Sequence, residues 1–295
     1  MSLKAEFNNI ISTNSGKICE IYLFRNFMKA IQKKYKHHAY VKEYHGNKQQ
    51  VSFSYKLPSI VLGNVVCELC DLLLIFEKEN KEKQKEIRYT FLQAKYDKNG
   101  IRNQHFKCNL RQHYLLSQYP YITGINGFAI NSTILQNHVT DSIGTFGIFK
   151  KDTLGFDMVY SIANNISLYN VKNINSIRKN RSYLHYVAYN PATKITNGYQ
   201  EKIFCDNLDD FEIAANNMLV GNPVTDSDRQ FITSIISSLI ENDTETPIIT
   251  DEYGNGITLS DFPFNVIYIN LDSVISEEKS MSSHKLYDKG YTNNQ

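Results

Sequence analysis

Apolar and polar positions alternate along this chain in short runs, and two of those runs stand on either side of a charged gap. Residues 67–76 and 88–96 are apolar and rich in aliphatic and aromatic side chains, whereas the segment between them is almost wholly Glu and Lys. Runs of this length favour strands over helices, and a charged middle favours a solvated hairpin tip. In an antiparallel pair the numbers of facing residues have a constant sum, and a turn centred near Glu82 makes that sum about 164. Asp71 then lies across from Gln93. Strand side chains alternate, so Gln93 and Lys95 share a face roughly 7 Å apart. One face of one hairpin therefore gathers Asp71, Gln93 and Lys95.

The rest of the pattern arranges itself around that hairpin. Residues 15–36 read as a helix with Ser15 near its start, because Phe24, Phe27, Met28, Ile31 and Tyr35 recur at three- and four-residue steps. Glu20 falls one turn before Phe24 on the same stripe, where a carboxylate needs a cation or hydrogen-bond donors unless it reaches solvent. Residues 37–50 are polar and read as a loop or short strand; residues 51–66, broken by Pro58 and Gly63, predict one or two strands. A second helix is expected over 102–119, with Phe106, Leu110, Tyr114 and Ser117 on its inner stripe and Lys107 and Arg111 on a flank. Glycine-punctuated apolar runs over 121–160 predict further strands, as does 176–190, which interleaves Arg178, Lys179 and Arg181 with Tyr183, Tyr186 and Tyr189. That mixture suits single-stranded bases, but a strand with a tyrosine face accounts for it and is preferred. Helices follow over 207–220 and 226–241, a last strand over 264–271, and a polar tail over 276–295 that is expected to fray.

Composition and charge narrow the picture. A chain of 295 residues with 42% hydrophobic content buries a sizeable core and is not disordered. Its longest apolar runs are too short to span a bilayer, and its first residues lack the basic-then-apolar pattern of a signal peptide. Five scattered cysteines fit a reducing compartment, so a cytoplasmic protein without membrane contact is expected. Cys67 and Cys70 form a CxxC with no second pair to complete a zinc tetrad, and packing inside a strand is the better account. The histidines at 37, 38 and 45 have no carboxylate cluster with them and read as surface residues. The net charge of +2 hides an asymmetry: residues 1–111 carry 20 Lys and Arg against 10 Asp and Glu, and residues 112–295 carry 12 against 20. A basic N-terminal part suits a phosphate-tracking surface, and equally a solvated face with no ligand. Arg25, Lys29 and Lys33 form an i, i+4 row on the outer side of this helix, suited to a phosphate backbone or merely to water, and Lys107, Arg111 and Gln112 are the further candidates for nucleic-acid contact.

The hairpin cluster has the composition that phosphodiester hydrolysis needs. A hard cation takes one or two carboxylates with amide or backbone carbonyl oxygens and water. Asp71, the Gln93 amide oxygen and the Ala94 carbonyl offer these, and Lys95 would orient or help deprotonate the attacking water and offset charge on phosphorus. The plain alternative is that Asp71 caps a strand, Gln93 is exposed and Lys95 snorkels. Glu68, three residues before Asp71, joins only if a bulge or turn intervenes.

Asp71 opening one strand, with Phe91-Leu92-Gln93-Ala94-Lys95 closing the next, resembles the PD-(D/E)xK nuclease superfamily. The resemblance covers roughly residues 15–120. It implies a restriction-endonuclease-like α/β fold with a mixed central sheet flanked by helices, Mg²⁺- or Mn²⁺-dependent cleavage of DNA, a metal-binding Asp71 and a catalytic Lys95. It also implies a second acid from the preceding helix, Glu20. Gln93 stands where most members have Asp or Glu, Cys70 replaces the usual proline, and the supporting QxxxY motif is broken at Gln112, which is followed four places on by Leu116. The domain reading is a nuclease core over 1–150, a mixed α+β extension over 151–275 and a tail over 276–295. Three functions compete: a Mg-dependent DNA endonuclease of a defence or mobile-element kind, a nucleic-acid-binding protein of the same fold that has lost cleavage, and a protein whose acidic C-terminal half binds a partner. A symmetric homodimer would suit a double-strand cut.

Overall fold

Residues 72–76 are five consecutive apolar side chains, all buried. A strand covered on both faces buries such a run. In the computed structural model, which describes residues 1–44, 50–57, 60–98, 105–128, 130–168, 181–186, 193–240, 249–250, 256–257 and 263–272, this run forms β4 (Leu72–Glu79) at the centre of the main sheet. Its antiparallel partner is β5 (Lys85–Asp97), joined to it across the Glu/Lys tip, and Leu72 faces Leu92 in the register expected from the sequence. On its other edge β4 pairs in parallel with β18 (Asn265–Asn270), which in turn holds β1 (Ala39–Lys42). On the far side of β5 come β8 (Gly144–Asp152), parallel to it, then β9 (Gly155–Ile162) and β14 (Phe204–Cys205). The short β15 (Asn222–Pro223) also pairs with β5.

Two layers cover this sheet. Leu72, Leu74 and Phe76 of β4, with Leu92 and Ala94 of β5, pack against α1 (Leu3–Thr13), α2 (Glu20–Tyr35) and α4 (Leu208–Asn216). Leu73, Ile75, Tyr89 and Phe91 face the other way, toward α3 (Leu110–Gln118), α5 (Asp226–Ile240) and a small sheet of β3 (Ile60–Cys67), β2 (Val51–Leu57) and β7 (Ile122–Gly124). Three further small ladders lie outside the main sheet. They are β10 (Ile166–Leu168) with β11 (Arg181–Tyr186) and β6 (His105–Asn109), β12 (Thr193–Thr196) with β13 (Tyr199–Lys202), and β16 (Ile249–Thr250) with β17 (Gly256–Ile257). The protein is thus a mixed α/β fold with a central mixed sheet flanked by helices. No helix among the described residues is long and apolar enough to cross a membrane.

Several expectations change. The helix expected over 15–36 is α2 and begins at Glu20 rather than near Ser15, because Gly16 is packed directly beneath the Tyr22 ring, which a Cβ there would strike; α1 before it was not among the expected helices. Tyr22 donates its hydroxyl to the Asn14 carbonyl at 2.7 Å, so residues 14–18 are a turn between α1 and α2. The helix expected over 102–119 is a strand and then a helix: His105–Asn109 pairs with β11, and Asn109 caps α3 by accepting from Arg111 N at 3.0 Å. Phe106 therefore lies on a strand and not on a helical stripe. The α+β region after residue 150 is not a layer laid on a finished core, since it supplies β9, β14, β15 and β18 to the same sheet. Of 176–190, only β11 is described, and the polar tail and His45 lie outside the described residues.

Candidate active site

Asp71 sits at the end of the hairpin away from the charged tip, and its position is fixed by the backbone on two sides. Its N–H donates to the Leu92 carbonyl at 3.0 Å, and its carbonyl accepts from the Asn265 N–H at 3.3 Å and from Asn265 Nδ2 at 2.8 Å. Strand alternation places Gln93 and Lys95 on the face that carries Phe91, and Asp71, in the bend just before β4, meets them through Gln93. Asp71 Oδ2 accepts a hydrogen bond from the Ala94 N–H at 2.8 Å and another from Gln93 Nε2. Gln93 is not exposed, as the plain alternative required, but is 1% accessible, and its Oε1 is buried with no hydrogen-bond partner.

The carboxylates gather around one ammonium. Glu20, in the first turn of α2, reaches from the layer on the opposite face of the sheet, and its Oε1 lies 3.5 Å from Lys95 Nζ. Glu68 joins because β3 ends at Cys67 and the chain bends before β4 begins, so the alternation that would have turned it away does not apply. Gln112 on α3 is buried and donates from Nε2 to Glu68 Oε2 at 3.2 Å. The helix is held close enough for this by Gly144 at the start of β8, which stands against the Leu116 carbonyl with no room for a Cβ.

Burial and charge set the protonation states. Asp71 keeps some exposed surface, but protein surrounds its carboxyl, and that burial pushes its pKa up to about 6 against the opposing pull of Lys95 and the Ala94 N–H. Burial likewise raises Glu68, with Lys95 and Gln112 pulling the other way. Burial disfavours the Lys95 ammonium, yet Asp71, Glu20 and Glu68 outweigh it and its pKa is raised. A lysine held charged has no lone pair with which to take a proton. The deprotonating half of its expected role is therefore disfavoured, leaving orientation and charge compensation.

The remaining expected residues are placed differently. Arg25 and Lys29 lie exposed along the outer side of α2, and Lys33 is paired with Glu6 at 2.5 Å from its Oε1. Arg111, at the start of α3, donates to the Val66 carbonyl at 3.4 Å and has a buried Nε without a partner. The backbone of Lys107 lies in β6, and its side chain is outside the described residues. Cys67 and Cys70 are buried free thiols. Two residues with no signal in the sequence support the cluster: Gln50, whose side-chain oxygen accepts from the Leu69 and Cys70 N–H groups at 2.7 and 3.4 Å, and Asn265 beside Asp71. Gln50 closes a polar stretch and Asn265 opens an apolar strand, and nothing local marks either as a partner of Asp71.

The donor set offers a cation mixed oxygens. Asp71 supplies a carboxylate, Gln93 an unengaged buried oxygen, and Glu20 and Glu68 stand beyond Lys95. Among the described residues, however, no three His, Cys, Asp or Glu side chains form a group that could hold a metal ion. No protein-family model, curated protein or solved structure matches the chain. What the cluster can do is read from its own atoms.

Proposed function

We propose that the chain is a metal-dependent nuclease that hydrolyses DNA phosphodiester bonds on a restriction-endonuclease-like sheet. One observation carries the reading: at one end of the hairpin Asp71 is bonded to Gln93, which shares a face with Lys95, with Glu20 3.5 Å from the Lys95 ammonium and the Gln93 oxygen buried and unused. A buried acceptor without a donor is costly, and a cation would satisfy it. Asp71, Gln93 and the Ala94 carbonyl would hold Mg²⁺ or Mn²⁺, with Glu20 as second acid and Glu68 beside it. Such an ion, when bound, supplies Lewis-acid polarisation of a phosphoryl oxygen. Lys95, kept charged, offsets negative charge that develops on the phosphate and orients the water through its N–H groups. Asp71 is ionised above about pH 6 and then offers its full charge. Arg25 and Lys29, exposed on α2, are available to the phosphate backbone.

A second reading, a nucleic-acid-binding protein of the same fold without cleavage, has its own support. Gln93 brings no negative charge, and its Nε2 is already donated to Asp71. One experiment separates the two: plasmid, linear and single-stranded DNA are incubated with Mg²⁺, Mn²⁺ or EDTA, using the parent protein, Asp71→Ala and Lys95→Ala. Ion-dependent cleavage by the parent, lost in both variants while binding persists, is the expected result. Salt-sensitive binding with no cleavage by the parent would favour the second reading. No affinity for nucleic acid at low salt would sink both.

A further inference from the structure

Gln50 is 3% accessible and its side chain satisfies both ends of its amide in a way that reaches the cluster. Its Oε1 accepts from Leu69 N at 2.7 Å and Cys70 N at 3.4 Å, the two residues between Glu68 and Asp71. Its Nε2 donates to the Pro263 carbonyl at 2.7 Å, two residues before Asn265. Its own backbone is tied as well, donating to the Cys67 carbonyl at 3.1 Å and accepting from Ile125 N at 3.0 Å. Asn265 then donates twice to the Asp71 carbonyl and accepts from Tyr44 N at 2.8 Å. One buried amide thus joins the small sheet, the bend that presents both carboxylates, and the entry to the last strand.

We infer that Gln50 is a positioning residue for the Asp71 site: its amide holds the 68–71 bend so that Glu68 and Asp71 face Lys95 together. A bend has no ladder of its own to fix its N–H groups, and leaving buried donors unsatisfied costs free energy. The bend therefore keeps its shape only while an acceptor is supplied from outside it, and Gln50 is that acceptor. Asp71 follows directly, because its carboxylate meets the Ala94 N–H and Gln93 only when residues 69 and 70 are in place. Outer partners of this kind commonly alter ion affinity or activity by about tenfold or more.

The kinetic arm of the test rests on the nuclease reading, and the hydrogen-exchange arm does not. Full-length Gln50→Met and Gln50→Asn proteins are made; methionine keeps the length and removes the polarity, and asparagine withdraws the amide by one methylene. Folding is checked by circular dichroism and cooperative melting. Amide hydrogen exchange at Leu69 and Cys70, the two donors to Gln50, is then followed by NMR against the Ile75 amide in the middle of β4. Relative to Ile75, both amides exchange at least about tenfold faster in the folded variants than in the parent. The Mg²⁺ or Mn²⁺ concentration for half-maximal cleavage rises about tenfold while the KM for DNA stays within about twofold. Should the methionine variant not fold, the asparagine variant carries the same comparison. A folded variant in which Leu69 and Cys70 exchange as in the parent overturns the inference, whatever the cleavage assay gives. A parent that cleaves nothing with either ion overturns the nuclease reading and leaves the exchange to decide on Gln50.

Discussion

Lys95 and Asp71 define each other's charge, and this is where the chemistry is most exposed to measurement. Lys95 pulls the Asp71 pKa down against the burial that raises it. Replacing it with methionine leaves burial unopposed, so in Lys95→Met the Asp71 carboxyl titrates above its parental value near 6, as NMR would report; an unchanged or lower value would mean that the ammonium does not act on it. The raised pKa also has a stability consequence. A carboxyl whose pKa is higher folded than unfolded favours the folded state below its ordinary 3.8, and that contribution is lost as pH rises through about 6. Relative to Asp71→Asn, the parent should lose about 2 kcal/mol of unfolding free energy between pH 4 and 6. Urea unfolding of both proteins at four pH values across that window checks the sign, and a parent that gains stability on the variant as pH rises would refute it. At this scale the pairing of Asp71 with Gln93 was legible, because hairpin register is simple arithmetic. Glu68 was only conditional, because whether a bend breaks the alternation is decided by Gln50, nearly twenty residues earlier.

Among the elements, α3 is the one on which the cluster most depends and the one that periodicity misread. Phe106, Leu110 and Tyr114 have helical spacing, but 105–109 is drawn into a strand by β11, and the helix starts only where Asn109 can cap it. Pairing across about seventy residues overrode the local pattern. The helix crosses β8 at Gly144, whose missing side chain lets the Leu116 carbonyl approach. Gly144→Ala should push α3 outward, cost about 1–3 kcal/mol and weaken the hold of Gln112 on Glu68. Thermal melting measures the first effect; a variant as stable as the parent would show that the contact yields freely. By contrast, α2, α4 and α5 were all legible to within a few residues, since each buries its own apolar stripe.

For the whole molecule, the decisive feature is the last strand. β18 lies between β1 and β4, so the edge of the central hairpin is completed by residues 265–270. A chain cut before residue 263 exposes the edge of β4 and loses Pro263 and Asn265 together, and it should show no cooperative unfolding transition. A fragment of residues 1–150 should fail likewise. A cooperative melt from either would restore the division at residue 150 that the sheet argues against. The charge asymmetry belongs to this scale too: if the basic N-terminal part tracks phosphates, the logarithm of the DNA affinity falls linearly with the logarithm of the salt concentration. Binding indifferent to salt would leave that basic surface merely solvated.

The sequence by itself determined the hairpin, its register, the face shared by Gln93 and Lys95, and most of the helices, because each follows from periodicity and turn chemistry acting over a few residues. Only the tertiary structure decided that Asp71 meets Gln93 from a bend, that Glu20 and Glu68 arrive beside Lys95, that Gln112, Gln50 and Asn265 brace them, and that the chain's last described strand lies beside β4. Those placements come from layers packing on opposite faces of one sheet and from amides satisfying distant backbone groups, and neither leaves a periodic trace along the chain.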